Sequence, residues 1–161
     1  MKQKLIQAVL ATILCAGATD ALSAWRYKNG VDLATGQKTI TAWVTSSSTF
    51  NLDFPYEGTQ NATLGVRKHE WGRLEVYFSI EQGEWTCEGP SCYVSVRFDD
   101  GQPRDFPALA STRRDSTIMY LADQARFVQL MRKSKVVRIE VEIYRREKQV
   151  LTFDVSGYSP D

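Results

Sequence analysis

The sequence predicts a mainly β protein: an antiparallel β-sandwich or flattened barrel of seven to eight short strands with one α-helix over about 123–134. Three observations carry this. Apolar and polar residues alternate over short runs, as in Leu74, Val76, Phe78 and Ile80, or Val137, Ile139, Val141 and Ile143. Turn chemistry separates the runs, at Thr35-Gly36, Pro55-Tyr56-Glu57-Gly58, Gly89-Pro90, Asp100-Gly101 and Ser156-Gly157. The period changes to three and four once, at Phe127, Leu130 and Met131, behind Asp123 as the expected N-cap.

The chain opens with a positive stretch at Lys2 and Lys4, an apolar run from Leu5 to Gly17, and small residues at Ala18, Ala21, Ser23 and Ala24. This is the pattern of a secretory signal peptide over 1–23, cleaved after Ser23, with Ala18 and Ala24 as alternative sites. The run is shorter than the roughly 20 residues a membrane-spanning helix needs, and no second run follows. Leu14 is too bulky to make Cys15 a good lipid-attachment site. The expectation is a periplasmic or secreted protein without a transmembrane segment, its residues 24–161 forming one domain.

Within that domain, Trp25-Arg26-Tyr27 and the run 38–45 read as two strands joined by a turn at Asp32, Thr35 and Gly36, with Ile40, Ala42 and Val44 on one face and Trp43 on the other. Ser46-Ser47-Ser48 and the Pro55 region are rich in breakers, so 46–61 reads as a loop with a short edge strand near Phe50 to Phe54. Runs 62–67 and 73–80 form an antiparallel hairpin around His69-Glu70-Trp71-Gly72. A small disulfide-closed hairpin follows at 87–92, then a strand through Tyr93, Val94, Val96 and Phe98. Pro103 and Pro107 make 101–110 irregular or an edge strand, and 116–121 resumes strand character before the helix. The runs 136–144 and 150–155, joined by a turn at 145–148, complete the sheet, with Arg138, Glu140 and Glu142 on a wet face. Asn61-Ala62-Thr63 matches a glycosylation acceptor, a pattern common by chance.

Removing the leader also removes Cys15 and leaves Cys87 and Cys92, an even pair in a chain sent to an oxidising compartment, so a disulfide is expected. A zinc site wants four ligands, and two thiols with the single histidine, His69, do not supply them. Neither a metal nor a cofactor is indicated. The mature chain holds 18 basic and 18 acidic residues, which gives no indication of general nucleic-acid or membrane binding.

The order of motifs is informative: Asp32-Leu33-Ala34-Thr35-Gly36, Pro55-Tyr56-Glu57-Gly58, the close cysteine pair, Arg97-Phe98-Asp99-Asp100-Gly101 and Phe153-Asp154-Val155-Ser156-Gly157 behind an exported leader. It resembles that of small exported β-rich proteins of Gram-negative bacteria. The resemblance implies an envelope location and a β-rich fold, and carries over no functional residue.

No nucleophile motif or metal-ligand pattern is present, so the sequence points to binding rather than catalysis. His69-Glu70 pairs a base with a carboxylate but fits a solvated hairpin loop, and Asp99-Asp100 before Gly101 is turn chemistry. Of Trp25, Trp43, Trp71 and Trp85, the candidates for recognition are Trp71 and Trp85, at strand ends where loops gather. Charge supplies the other candidates. Residues 126–148 carry a surplus of five positive charges and 81–105 a deficit of four. Arg132, Lys133, Arg138, Arg145 and Arg146 are expected to share one surface facing an envelope protein or another anionic envelope component. The expected function is a non-catalytic binding or accessory protein of the cell envelope, with a structural subunit of an envelope assembly or a motif-less hydrolase as alternatives.

Overall fold

A computed structural model describes residues 25–87, 92–111, 115–144 and 148–159. The expected signal peptide, Cys15, the Gly89-Pro90 turn, and Arg145 and Arg146 lie outside the described residues. The described chain forms β1 (Arg26–Val31), β2 (Lys38–Leu52), β3 (Gly58–His69), β4 (Leu74–Ile80), β5 (Tyr93–Phe98), β6 (Arg104–Ala110), β7 (Ile118–Leu121), α1 (Gln124–Met131), β8 (Val136–Val141) and β9 (Gln149–Asp154). All pairings are antiparallel, in the order β1-β2-β3-β4-β7-β6-β5-β8-β9. The fold is thus the expected mainly β architecture with one helix, a curled half-barrel, with nine strands among the described residues rather than seven or eight.

The alternating pattern decides which face is inward. Val76, Phe78 and Ile80 of β4, Val137, Ile139 and Val141 of β8, and Leu151 and Phe153 of β9 are buried, while their neighbours in sequence are half-buried or exposed. The sheet curls until β9 lies along the middle of β2. At this seam the Ser47 hydroxyl donates to the Thr152 carbonyl (3.2 Å) and the Ser48 hydroxyl accepts from the Thr152 N–H (2.9 Å). β1 takes the remainder of that β2 edge, pairing with Lys38 to Trp43.

Three expectations need correction. The breaker-rich serines do not end a strand: β2 runs 15 residues, through a register shift between Thr45 and Thr49. Side chains take over the interrupted ladder, since the Ser46 hydroxyl accepts from the Ala62 N–H at 2.9 Å and the Asn61 amide donates to the Ser46 and Ser48 carbonyls. That use of Asn61 places the acceptor-like triplet inside the sheet. Residues 104–110 are an interior strand, because Pro107 falls where β6 passes from its β5 partner (Arg104 to Pro107) to its β7 partner (Ala108 to Ala110). Finally, the disulfide segment does not join neighbouring strands. β7 and β6 lie between β4 and β5, a Greek-key arrangement in which the described residues 81–87 lie at one end of the barrel. There Trp85 bridges to Ile143, and the Thr86 N–H donates to the Glu142 carbonyl.

The opposite end, the helix end, gathers the β1–β2, β3–β4 and β5–β6 turns, α1 and residues 155–159. α1 buries Phe127, Val128 and Met131, with the Phe127 ring 5.6 Å from Phe98 and 5.7 Å from Phe106. Leu130, expected on this stripe, is only half-buried, and Val128 takes its place. Asp123 holds the N-cap position, but its carboxylate does not cap; it lies 3.6 Å from Arg126. The helix stops at Met131, three residues short of the expected end.

Candidate functional site

A groove of about 380 Å3 lies at the helix end, between α1 and the β3–β4 hairpin. Its floor is Leu74, Ala125, Val128 and Tyr158, and its rim carries Lys68, Arg132 and Lys133. Lys68 shares the face of Leu64 and Val66 but is exposed because it lies at the end of the barrel, past the core, opposite Leu74, and the helix end sets Arg132 and Lys133 on the facing wall. Tyr158 is fixed from two sides, by the Trp25 ring at 4.8 Å and the Arg132 guanidinium over its face at 5.8 Å. The Trp25 indole N–H in turn donates to the Val155 carbonyl at 3.2 Å. Burial pushes the Tyr158 hydroxyl up to about 12, against the opposing pull of Arg132, so the groove floor stays uncharged at neutral pH.

Glu75 is engaged by Arg73 (2.8 Å) and Arg67 (3.2 Å), and among the described residues neither Lys68 nor Lys133 has an ion-pair partner. Trp71, next to the groove residue Gly72, stands at the hairpin tip with 80% of its surface exposed, the turn being made by Gly72 at φ 87°.

The sequence candidates divide accordingly. Trp71, Arg132 and Lys133 come together at the helix end. Trp85 does not: it is half-buried at the other end, its indole donating to the Thr117 carbonyl at 2.8 Å and its ring meeting Phe78 edge-on at 5.1 Å. Trp43 is half-buried on the sheet's outer face. Arg138 lies on the outer face of β8 and donates to the Asp99 carbonyl at 2.9 Å. The 145–148 turn, with Arg145 and Arg146 outside the described residues, follows the far end of β8, so six strand residues separate it from Arg132 and Lys133. Among the described residues, Arg132 and Lys133 line the groove, while Arg138 stands apart on the outer face of β8. Sequence reading missed Lys68, Leu74, Val128 and Tyr158, because three separate segments assemble the groove and none shows a local motif.

His69 is not in a solvated loop. It is 2% exposed at the end of β3, and its neighbours are Asp32 and Glu75 rather than Glu70: Nδ1 lies 3.9 Å from Asp32 and Nε2 3.7 Å from Glu75. Both distances exceed a hydrogen bond, and Nε2 is buried without a partner among the described residues. A base so enclosed reaches no substrate. The Asp99 and Asp32 carboxylates are turn fixtures. Asp99 accepts the Lys135 and Val136 N–H groups (2.8 and 2.9 Å), and Asp32 those of Ala34 and Thr35 (2.9 and 3.0 Å).

The expected disulfide joins Cys87 and Cys92, with Cα atoms 5.4 Å apart, and belongs to an oxidising compartment. It borders a polar pocket of about 490 Å3 with Asp105, Glu140, Glu142 and Lys148. Lys148 is bound at 2.8 Å by Glu140, whose hydrogen bond and charge raise its pKa, so among the described residues this pocket offers no spare cation. Among the described residues no His, Cys, Asp and Glu cluster suits a metal ion, and no helix is long and apolar enough to cross a membrane. The class defined by fold and site is a helix-capped antiparallel half-barrel with a cationic, apolar-floored groove. No family model, curated protein or solved structure matches the chain.

Proposed function

We propose that the protein is an exported, non-catalytic binding protein of the bacterial cell envelope, acting in the periplasm or outside the cell, and that its helix-end groove receives an anionic envelope component. The observation that carries this reading is the placement of Lys68 opposite Arg132 and Lys133 over an apolar floor, with both lysines free of ion pairs among the described residues. Cations left unpaired around an apolar floor favour a partner that is both anionic and partly apolar. The export-type leader and the disulfide support the envelope as the place of work.

The test is capture from an envelope extract containing both protein and lipid, comparing the immobilised mature protein with Lys68→Glu/Lys133→Glu. A component retained by the native protein should be lost from the variant, and should elute as salt rises well above 0.1 M, where charges are screened over about 10 Å. Identical capture by both proteins at both ionic strengths removes the groove as the binding surface.

A further inference from the structure

The geometry points to a specific kind of partner for this groove: a lipid surface bearing anionic headgroups, with Trp71 and Leu33 entering the interface and Lys68, Arg132 and Lys133 meeting the headgroups. This inference rests on the groove being the anion-seeking surface. Its own support is the placement of two exposed apolar side chains. Leu33 is fully exposed (100%) at the tip of the β1–β2 turn, and Trp71 is 80% exposed at the tip of the β3–β4 hairpin. The two turns are joined, the Glu70 N–H donating to the Lys38 carbonyl at 2.9 Å, so both tips leave the same end of the barrel.

The backbone holds them forward. Asp32 Oδ1 accepts from Ala34 and Thr35 around Leu33, and Gly36 (φ 72°) and Gly72 (φ 87°) complete the turns. Protein interfaces deplete charge at a flat apolar centre. Here single apolar side chains project from turns beside exposed cations, the arrangement of an interfacial anchor, where indoles settle at headgroup level and basic residues meet anionic lipid. Among the described residues the opposing charges near these tips are Glu70, which is exposed, Asp32, whose carboxylate is held by the Ala34 and Thr35 N–H groups, and Asp100, exposed on the β5–β6 turn.

The mature protein should sediment with vesicles of phosphatidylglycerol in phosphatidylcholine and not with phosphatidylcholine alone, and the association should fade with salt. Lys68→Glu/Lys133→Glu should weaken it by at least roughly 25-fold, each of the two lost cations being worth about a factor of five and the new carboxylates adding repulsion. Trp71→Ala and Leu33→Ser should each weaken it at unchanged fold. Glu70→Gln should strengthen it, a gain that no misfolded variant would show. Equal association with neutral vesicles, or none with either, overturns the lipid assignment. If vesicles fail while an envelope protein is captured through Lys68 and Lys133, the lipid assignment falls and the anionic groove stands. If the lysine reversal changes neither vesicle association nor envelope capture, both fall.

Discussion

Asp99 shows how a residue that resembles chemistry turns out to be architecture. Its backbone is left-handed (φ 49°), and its carboxylate ties the β5–β6 turn to the start of β8. The backbone N–H groups of Val136 and Lys135 hold its carboxyl below the usual carboxylate range, as those of Thr35 and Ala34 do for Asp32. A carboxyl depressed by folding stabilises the native state while ionised. Its contribution is complete above the unfolded value, about 3.9, and disappears as pH falls through the lower folded value. Acid should therefore destabilise the protein from about pH 4 downward, and Asp99→Asn, which keeps an acceptor and tolerates the left-handed backbone, should flatten that part of the stability profile in urea titrations at stepped pH. Gly65 is the counterpart on the sheet's outer face. A Cβ there would stand 2.1 Å from Cζ of Tyr77, so the ring lies where a side chain would go. Gly65→Ala should destabilise by about 1–3 kcal/mol in chemical denaturation, as overpacking does.

At the scale of elements, legibility followed periodicity. β4 and β8 were readable because each buries alternate residues against one core, and their inward sets match the alternation with Leu74 half-buried at the groove. The stretch 46–61 was not, because serine and asparagine side chains replace ladder bonds at the β2 bulge, and composition cannot distinguish that from a loop. Pro107 misled for a similar reason: a ladder that changes partner tolerates a missing N–H, and the change of partner is a tertiary fact. The helix was visible in its period, but its phase is set by the aromatic cluster beneath it. Phe127, fully buried among Phe98 and Phe106, should cost about 3–5 kcal/mol when replaced by Ala, and the half-buried Leu130 under about 2 kcal/mol. Equal losses at the two positions, measured by urea unfolding, would show that α1 packs through a different face.

For the whole molecule, the half-barrel sets Arg132 and Lys133 at the groove and Lys148 beside Glu140 at the disulfide-side pocket, a division that a linear count over 126–148 could not register. Arg132 and Lys133 were legible as basic residues; the partner wall, Lys68 with Gly72 and Leu74, became part of the same site only when the β3–β4 hairpin was placed against α1. The proposed contact is at this end and not at the disulfide end, where Tyr144 is also exposed (50%). The most direct test is site-specific photo-crosslinking in the native envelope, with a benzophenone amino acid at position 71 or at position 144. The account predicts an adduct from position 71 that is lost in the Lys68→Glu/Lys133→Glu background and no adduct from position 144. An adduct from position 144 alone, or one from position 71 that survives the charge reversal, would contradict it.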